Sequence, residues 1–490
     1  MIGVITYRIL VLTALAISVS AKSLAGIRGD RPNIVFILAD DLGWADLPVY
    51  GNRFNEAPNL AQLAKEGMRF TEAYASAPVC SPSRASIMSG QYPARVGVVD
   101  FIPGHWRPYE KMQVPINRTQ YLPAQVETFA EALQDAGYAT GYFGKWHLGE
   151  GEEMENLHPL NQGFEVANTG KGYYGGRFTP SREGNPEKRF SERITDFGVE
   201  FIQKQKDQPF FLFLSHFDVH VQLNADQDLI DKYLGKDKVE GYPCNAVYAA
   251  MIAHIDHSVG RVMEKLESVG LSEQTIVVFF SDNGGLVSRY DKRTLLANSR
   301  QEVYRHGPLQ YIASSNLPLR GEKGTVYEGG IRVPLLLKWP GKIKPGSVSG
   351  ALVSSVDLYP TFLEMADVEM PREQVMDGES ILPALLSDRY DPDRALYWHY
   401  PVYHHGVPAG AVRKGDWKLI EDQVSGSVSL YHLSSDIGES TDLSAQYPKK
   451  TGELYEQLKQ WQKDIGAELP RPNADYDDDR RLEWGIHPDR

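Results

Sequence analysis

Several short stretches combine residue types that can do chemistry. Asp40-Asp41, Gly144-Lys145-Trp146-His147, the stretch from His216 to His220, and Asp282-Asn283-Gly284-Gly285 each follow a short apolar run. Asp40, Asp41, Asp282 and Asn283 offer only oxygen ligands, which suits a hard cation such as Ca²⁺ or Mg²⁺ and not zinc. Taken singly, each pair reads equally as a helix cap or a turn. A further stretch, Cys80-Ser81-Pro82-Ser83-Arg84, opens a short helical pattern that runs to Gly90. The positive end of such a helix favours an anionic nucleophile or a bound oxyanion at the cysteine. A buried structural thiol is the plain alternative. A thiolate-phosphatase loop is excluded by spacing, because it needs an arginine where Ser86 stands.

The elements that must position these residues are legible as periodicity. Runs at 33–39, 139–143, 209–215, 275–281 and 333–338 are β-branched and aromatic, and they alternate with amphipathic helical patterns. This predicts an α/β fold, with a large, mixed, mostly parallel sheet sandwiched by helices. In open α/β sheets ligands bind beyond the carboxyl ends of the strands, where the residues above fall. Residues 245–269 place Val247, Met251, Ile255, Val259, Val262 and Leu266 on one helical stripe before Gly270, and further helices are predicted over 126–136 and 357–366. The polar, proline-containing stretch 388–394 marks a boundary between a larger domain over 28–390 and a C-terminal subdomain over 391–490. In the latter, short antiparallel strands at 395–399, 409–413, 417–420 and 429–433, a helix at 452–462 and a solvated tail at 477–481 are expected, an α+β arrangement.

Composition narrows the partners. The 490 residues carry 51 Lys and Arg against 64 Asp and Glu, a formal charge of -13, so no overall positive field exists to hold nucleic acid. A polyanion needs a local basic pocket. Two cysteines, Cys80 and Cys244, build neither a disulfide scaffold nor a cysteine zinc site, and Cys244 reads as a free cysteine without a role. Residues 1–21 place Arg8 before an apolar run at 9–17 and the small-residue pattern Val19-Ser20-Ala21, as in a secretory signal peptide. The run falls short of the roughly 20 residues that span a bilayer, so no stable membrane insertion is expected after cleavage. The mature protein is expected to be periplasmic or secreted.

These residues together resemble the formylglycine-dependent sulfatases of the alkaline phosphatase superfamily. Cys80, Pro82, Ser83 and Arg84 match the family's Cys-x-Pro-Ser-Arg modification signature. Further matches run through 33–41, 144–149, 281–285, the Leu319-Arg320-Gly321-Glu322-Lys323-Gly324 stretch with Glu328-Gly329-Gly330, and more weakly 412–419. The resemblance implies that a separate maturation enzyme oxidises Cys80 to formylglycine, which acts as a hydrated aldehyde. It implies Ca²⁺, with Mg²⁺ as the alternative, held by Asp40, Asp41, Asp282 and Asn283 with the modified Cys80. It further implies that Arg84 holds the formylglycine, that Lys145 and Lys323 neutralise sulfate oxygens, that His147 deprotonates the diol, and that His220 protonates the leaving alcohol. Val219 stands before His220 where the family often shows proline, and His216 is a rival for that role.

The substrate side is less defined. His105 and Arg107 in the 100–112 stretch, Arg177 beside Tyr173 and Tyr174, and His399, His404 and His405 are candidates for stacking on sugar rings or pairing with a carboxylate. Gly170-Lys171-Gly172-Tyr173-Tyr174-Gly175 fits a dinucleotide pattern but neither follows a convincing strand nor opens a helix. His254 and His257 read as a solvated helix face, and Asn117-Arg118-Thr119 is a glycosylation sequon that matters only in a eukaryotic secretory pathway. The expectation is an exported sulfatase acting on a sulfated oligosaccharide or polysaccharide, with galactosamine-type, carrageenan-type and ulvan-type substrates all open. Its rivals are a phosphomonoesterase or phosphonate hydrolase on the same scaffold and a non-catalytic sulfated-glycan binding protein.

Overall fold

A computed structural model describes residues 31–149, 157–182, 185–305 and 307–487. The leader expected over 1–21 lies outside these residues. The main sheet has eight strands: β1 (Asn33–Ala39), β2 (Met68–Phe70), β3 (Ala139–Gly144), β4 (Val166–Thr169), β5 (Phe210–Ser215), β6 (Thr275–Ser281), β7 (Leu335–Lys338) and β8 (Ser347–Ser349), in the order β8-β2-β7-β6-β1-β5-β3-β4. Only β7 runs against its neighbours β2 and β6; every other pair is parallel. The predicted run at 333–338 is therefore the reversed strand. The short strands β2, β4 and β8 went unread, being too brief to show a period.

The central strand β1 is buried along its whole length. Ile34, Phe36 and Leu38 enter one core and Val35, Ile37 and Ala39 the other, so a continuous apolar run is what a strand covered on both faces requires. One core is closed by helices α1 (Pro58–Glu66), α4 (Phe190–Gln205) and α5 (Ala246–Ser268). The other is closed by α2 (Cys80–Ser89), α3 (Phe129–Asp135) and α6 (Leu358–Met365). Thr128 caps α3 by accepting from the Glu131 N–H, while the Glu131 carboxylate accepts from the Thr128 N–H, which explains why the helix starts later than its apolar pattern.

The C-terminal sheet is an antiparallel meander of β9 (Ala395–Tyr400), β10 (Ala409–Lys414), β11 (Trp417–Asp422) and β12 (Val428–His432), with α7 (Pro448–Asp464) on one face. Its other face buries Trp398, Tyr400, Ala411 and Ile420 against Tyr74, Val79, Val326 and Ile331 of the larger unit. A buried cluster also bridges the two: Lys418 lies 2.8 Å from both Glu328 and Glu439. The tail beyond α7 is exposed at 478–481 as expected, yet it folds back. Arg471 and Pro472 pair with Gln113 and Met112, and Gly485 bridges to Trp106.

Candidate active site

Strands β3, β5, β1 and β6 are parallel neighbours, so their carboxyl ends deliver side chains to one edge. Asp40 and Asp41 leave β1, Asp282 and Asn283 leave β6, Lys145 and His147 leave β3, and the 216–220 segment leaves β5. The turn after β3 needs glycine: Gly144 has φ of 124°, and a Cβ there would lie 1.8 Å from the Ser215 carbonyl oxygen. That close approach lets the Lys145 N–H donate to the same carbonyl at 2.9 Å.

Cys80 is the first residue of α2, and all ten residues of that helix are buried. Its small side chains let the helix sit against the sheet without an amphipathic stripe. His147 Nε2 bonds to the Ile102 carbonyl at 2.7 Å and therefore carries hydrogen. Its Nδ1 lies 3.2 Å from Cys80 Sγ, in the orientation of a proton acceptor. Lys323 donates to Asp41 at 2.8 Å and Lys145 to Asp40 at 2.6 Å. Arg84 spends its guanidinium on Asp282 at 2.8 Å, the Lys145 carbonyl at 2.8 Å and the Ser215 hydroxyl at 2.7 Å.

The electrostatics follow from burial and pairing. Burial would raise the Asp40 carboxyl, but Lys145 and its neighbours outweigh it and hold the group well below the usual carboxylate range. Asp41 is likewise lowered against burial, chiefly by Lys323, whereas burial and Asp40 push Asp282 well up. Oxygen ligands from Asp40 and Asp41 lie within 4.8 Å of each other and of a His220 nitrogen. Asp40 Oδ1 and Asn283 Oδ1 are buried acceptors without a hydrogen-bond donor among the described residues. Orphaned buried oxygens beside carboxylates fit a hard cation, and the residue set satisfies that test.

His220 Nδ1 bonds to the Val221 carbonyl at 2.5 Å, so Nε2 is the atom turned to the site, 3.7 Å from Asp41 Oδ2. Burial lowers the imidazole to about 4, with Lys323 reinforcing and Asp41 opposing. His216, the rival, is fully buried, bonds through Nε2 to Ser258 Oγ at 3.1 Å and does not line the cavity.

A cavity of about 330 Å³ opens over Cys80, Lys145, His147, His220 and Lys323. His105, Tyr290, His404 and His405 form one wall, and Phe101, Phe217 and Leu286 add apolar surface. Arg107 stands behind that wall, paired with Glu110 at 3.2 Å and lying 4.0 Å over the Trp484 ring. Arg177 is exposed and outside the lining, and His399 is buried with Nε2 donating to the Glu468 carbonyl. The glycine-rich 170–175 stretch does follow a strand, β4, but opens no helix; its Lys171 reaches the cavity. His254 is not solvated. It is buried, accepts from the Asp226 N–H at 3.4 Å and lies 3.6 Å from the Asp226 carboxylate.

Residues 32–368 match the family profile described as Sulfatase, and residues 321–465 match one described as N-sulphoglucosamine sulphohydrolase, C-terminal. A protein of Formosa agariphila named Sulfatase is 32% identical, covering 86% of this chain and 86% of that one. The chain belongs to the sulfatase family. An N-acetylgalactosamine-6-sulfatase of Canis lupus familiaris is also 32% identical to this sulfatase, over 79% of this chain and 71% of the relative. The crystal structure of Ps i-CgsB in complex with k-i-k-neocarrahexaose superposes on it with a TM-score of 0.73 at 25% identity, covering 94% of this chain and 96% of that one. The sulfatase is thus a sulfuric ester hydrolase with an alkaline phosphatase-like fold. Among the described residues, no helix is long and apolar enough to cross a membrane.

Sequence reasoning missed Ser215, which completes the Arg84 cradle, Tyr290 in the cavity wall and the Trp484 ring behind it. Ser215 was discoverable as the last residue of a predicted strand at the active edge. Trp484 carried no signal, because nothing in the text of the tail says that it folds back.

Proposed function

We propose that this sulfatase hydrolyses sulfate esters on a sulfated carbohydrate, with Cys80 oxidised to formylglycine by a separate maturation enzyme. The observation that carries this reading is the placement of Cys80 at a helix N-terminus, facing His147 Nδ1 at 3.2 Å beneath two buried lysines. A free thiol needs no such surroundings, whereas a hydrated aldehyde uses all of them. One diol hydroxyl, ionised with its proton passed to water, attacks sulfur; an oxygen–sulfur bond forms as the bond to the alcohol oxygen breaks, and that oxygen takes a proton from His220 Nε2. The second hydroxyl gives its proton to His147, the carbonyl re-forms, sulfate leaves, and water restores the diol.

Lys145 and Lys323 line the cavity and offset charge on the sulfate oxygens as it grows. Arg84 acts by fixing Asp282 and the Lys145 backbone. Asp40, Asp41, Asp282 and Asn283 would hold Ca²⁺, or Mg²⁺ in its place. When bound, the cation polarises the sulfate and favours the ionised diol. The sulfate of a bound substrate brings negative charge toward His220 and so favours the protonated ring that the acid role needs.

A carbohydrate substrate is supported by the histidine and tyrosine wall, which offers flat surfaces and hydrogen-bonding edges to a sugar, and by the substrates named for two of the relatives. The leader-like residues 1–21 support export to the periplasm or beyond. The test is the mass of the Cys80 peptide together with chelation: the account expects formylglycine at that position, and activity lost to a chelator and restored by Ca²⁺ or Mg²⁺. An active enzyme with unmodified Cys80, or one indifferent to chelation, would overturn it.

A further inference from the structure

The segment that carries His220 has no regular secondary structure, yet it is held from three sides. Its backbone is stitched to the end of β1, where the Asp40 N–H donates to the Asp218 carbonyl at 2.9 Å and the Val219 N–H to the Asp40 carbonyl at 2.6 Å. Arg189, immediately before α4, forms an ion pair with Asp218 in which the two side chains are 0% and 1% exposed. The Tyr173 hydroxyl donates to the His220 carbonyl, and the Arg189 guanidinium lies 4.7 Å over the Tyr173 ring. Tyr174, paired with Asp226, extends the same group outward to His254.

None of Arg189, Asp218 and Tyr173 lines the cavity, so none touches the substrate. Nor does stability account for the pair: two charges taken out of water gain little over an apolar packing of the same volume. What such a pair does supply is direction. A single bond from an Arg189 terminal nitrogen to Asp218 Oδ1 holds that carboxylate, and through it the two backbone bonds that set where His220 begins. We propose that Arg189, Asp218 and Tyr173 form a positioning frame that aims His220 Nε2 at the leaving-group oxygen; this rests on the acid role given to His220 above. The Nδ1 bond to the Val221 carbonyl then fixes ring rotation, so the frame and that bond together define the donor position. A displacement of about 1 Å at a donor costs up to ~10²-fold in rate.

The test compares leaving groups. Tyr173→Phe removes one hydroxyl, Asp218→Asn removes the charge pairing, and His220→Ala removes the acid itself. Each is assayed on 4-nitrophenyl sulfate, whose leaving group needs little proton donation, on phenyl sulfate, and on N-acetylgalactosamine 6-sulfate, whose alcohol needs full protonation. His220→Ala is expected to lose about 10²-fold or more in kcat on the sugar sulfate and much less on 4-nitrophenyl sulfate. Tyr173→Phe and Asp218→Asn are expected to follow the same ordering at about tenfold on the sugar sulfate, in kcat and not in KM. If His220→Ala shows the ordering and the other two lose activity uniformly, or lose none, the frame is wrong and the acid assignment stands. If His220→Ala shows no ordering, the acid assignment falls and the frame with it. Should Asp218→Asn fail to fold, Tyr173→Phe, which leaves the ion pair intact, decides alone.

Discussion

In the proposed mechanism the chemistry turns on Cys80, and its replacement is structurally mild. Cys80 lines the cavity, so Cys80→Ala opens no new closed void and is expected to change stability by about 1 kcal/mol or less. Sulfate release is expected to fall by at least ~10⁴-fold, measured beside a thermal melt; a variant that keeps more than a few per cent of activity would show that the nucleophile lies elsewhere. The strand-end residues around Cys80 were legible because they follow apolar runs in the sequence. Asp40, Asp41, Lys145, His147, Asp282 and Asn283 needed only the knowledge that parallel strands end at one edge. Arg189 and Asp218 were not legible, because an ion pair between a helix start and an irregular segment leaves no periodic trace. His254 was misread for a related reason. A helical stripe reports which face is apolar, and it cannot report that a loop from another strand will cover a histidine on the other face.

At the scale of elements, the contact between the two sheets holds a titratable device. Lys418 is shared by Glu328 and Glu439, all buried. Burial pushes Glu439 up from 4.5 to about 7 against the pull of Lys418, while Lys418 and Arg332 overcome burial and hold Glu328 down at about 2. Between 4.5 and about 7 the folded protein keeps a proton on Glu439 that the unfolded chain has lost, so stability falls as pH rises through that window. The size is on the order of 3 kcal/mol. Glu439→Gln keeps the shape and removes the proton, so its melting temperature is expected to fall less steeply across the window than that of the wild type. Parallel curves for the two proteins would refute the assignment. The meander itself was readable strand by strand from alternation, but the ion cluster beneath it was not, since Glu328 and Lys418 lie far apart in the sequence.

At the scale of the whole molecule, the chain closes on itself to build the cavity. The tail carries Trp484 to within 4.3 Å of His105 and 4.5 Å of Tyr290, and His105 bonds to the Tyr290 hydroxyl at 3.1 Å. His405 and His404 complete that wall, with burial holding His405 near 4 and His404 well below its ordinary value, so both are neutral at physiological pH. Trp484→Ala is expected to loosen the wall and raise KM for a sulfated sugar by about tenfold, while leaving kcat on 4-nitrophenyl sulfate within a factor of about two. Equal losses on both substrates would mean that the tail supports the fold and not the wall. The large fold was legible because helix and strand periods survive over long stretches. The wall was not, because it gathers single residues from four distant segments.

The proposed activity is that of a formylglycine sulfatase acting on sulfated carbohydrates. Its most direct measurement is inorganic sulfate released from a panel of defined sulfated oligosaccharides, beside matched phosphate esters, by protein whose Cys80 conversion has been verified by peptide mass. Release from at least one sulfated sugar is expected, with sulfate esters turned over faster than phosphate esters of the same alcohol. Faster phosphate turnover, or tight glycan binding without release by fully converted protein, would contradict it.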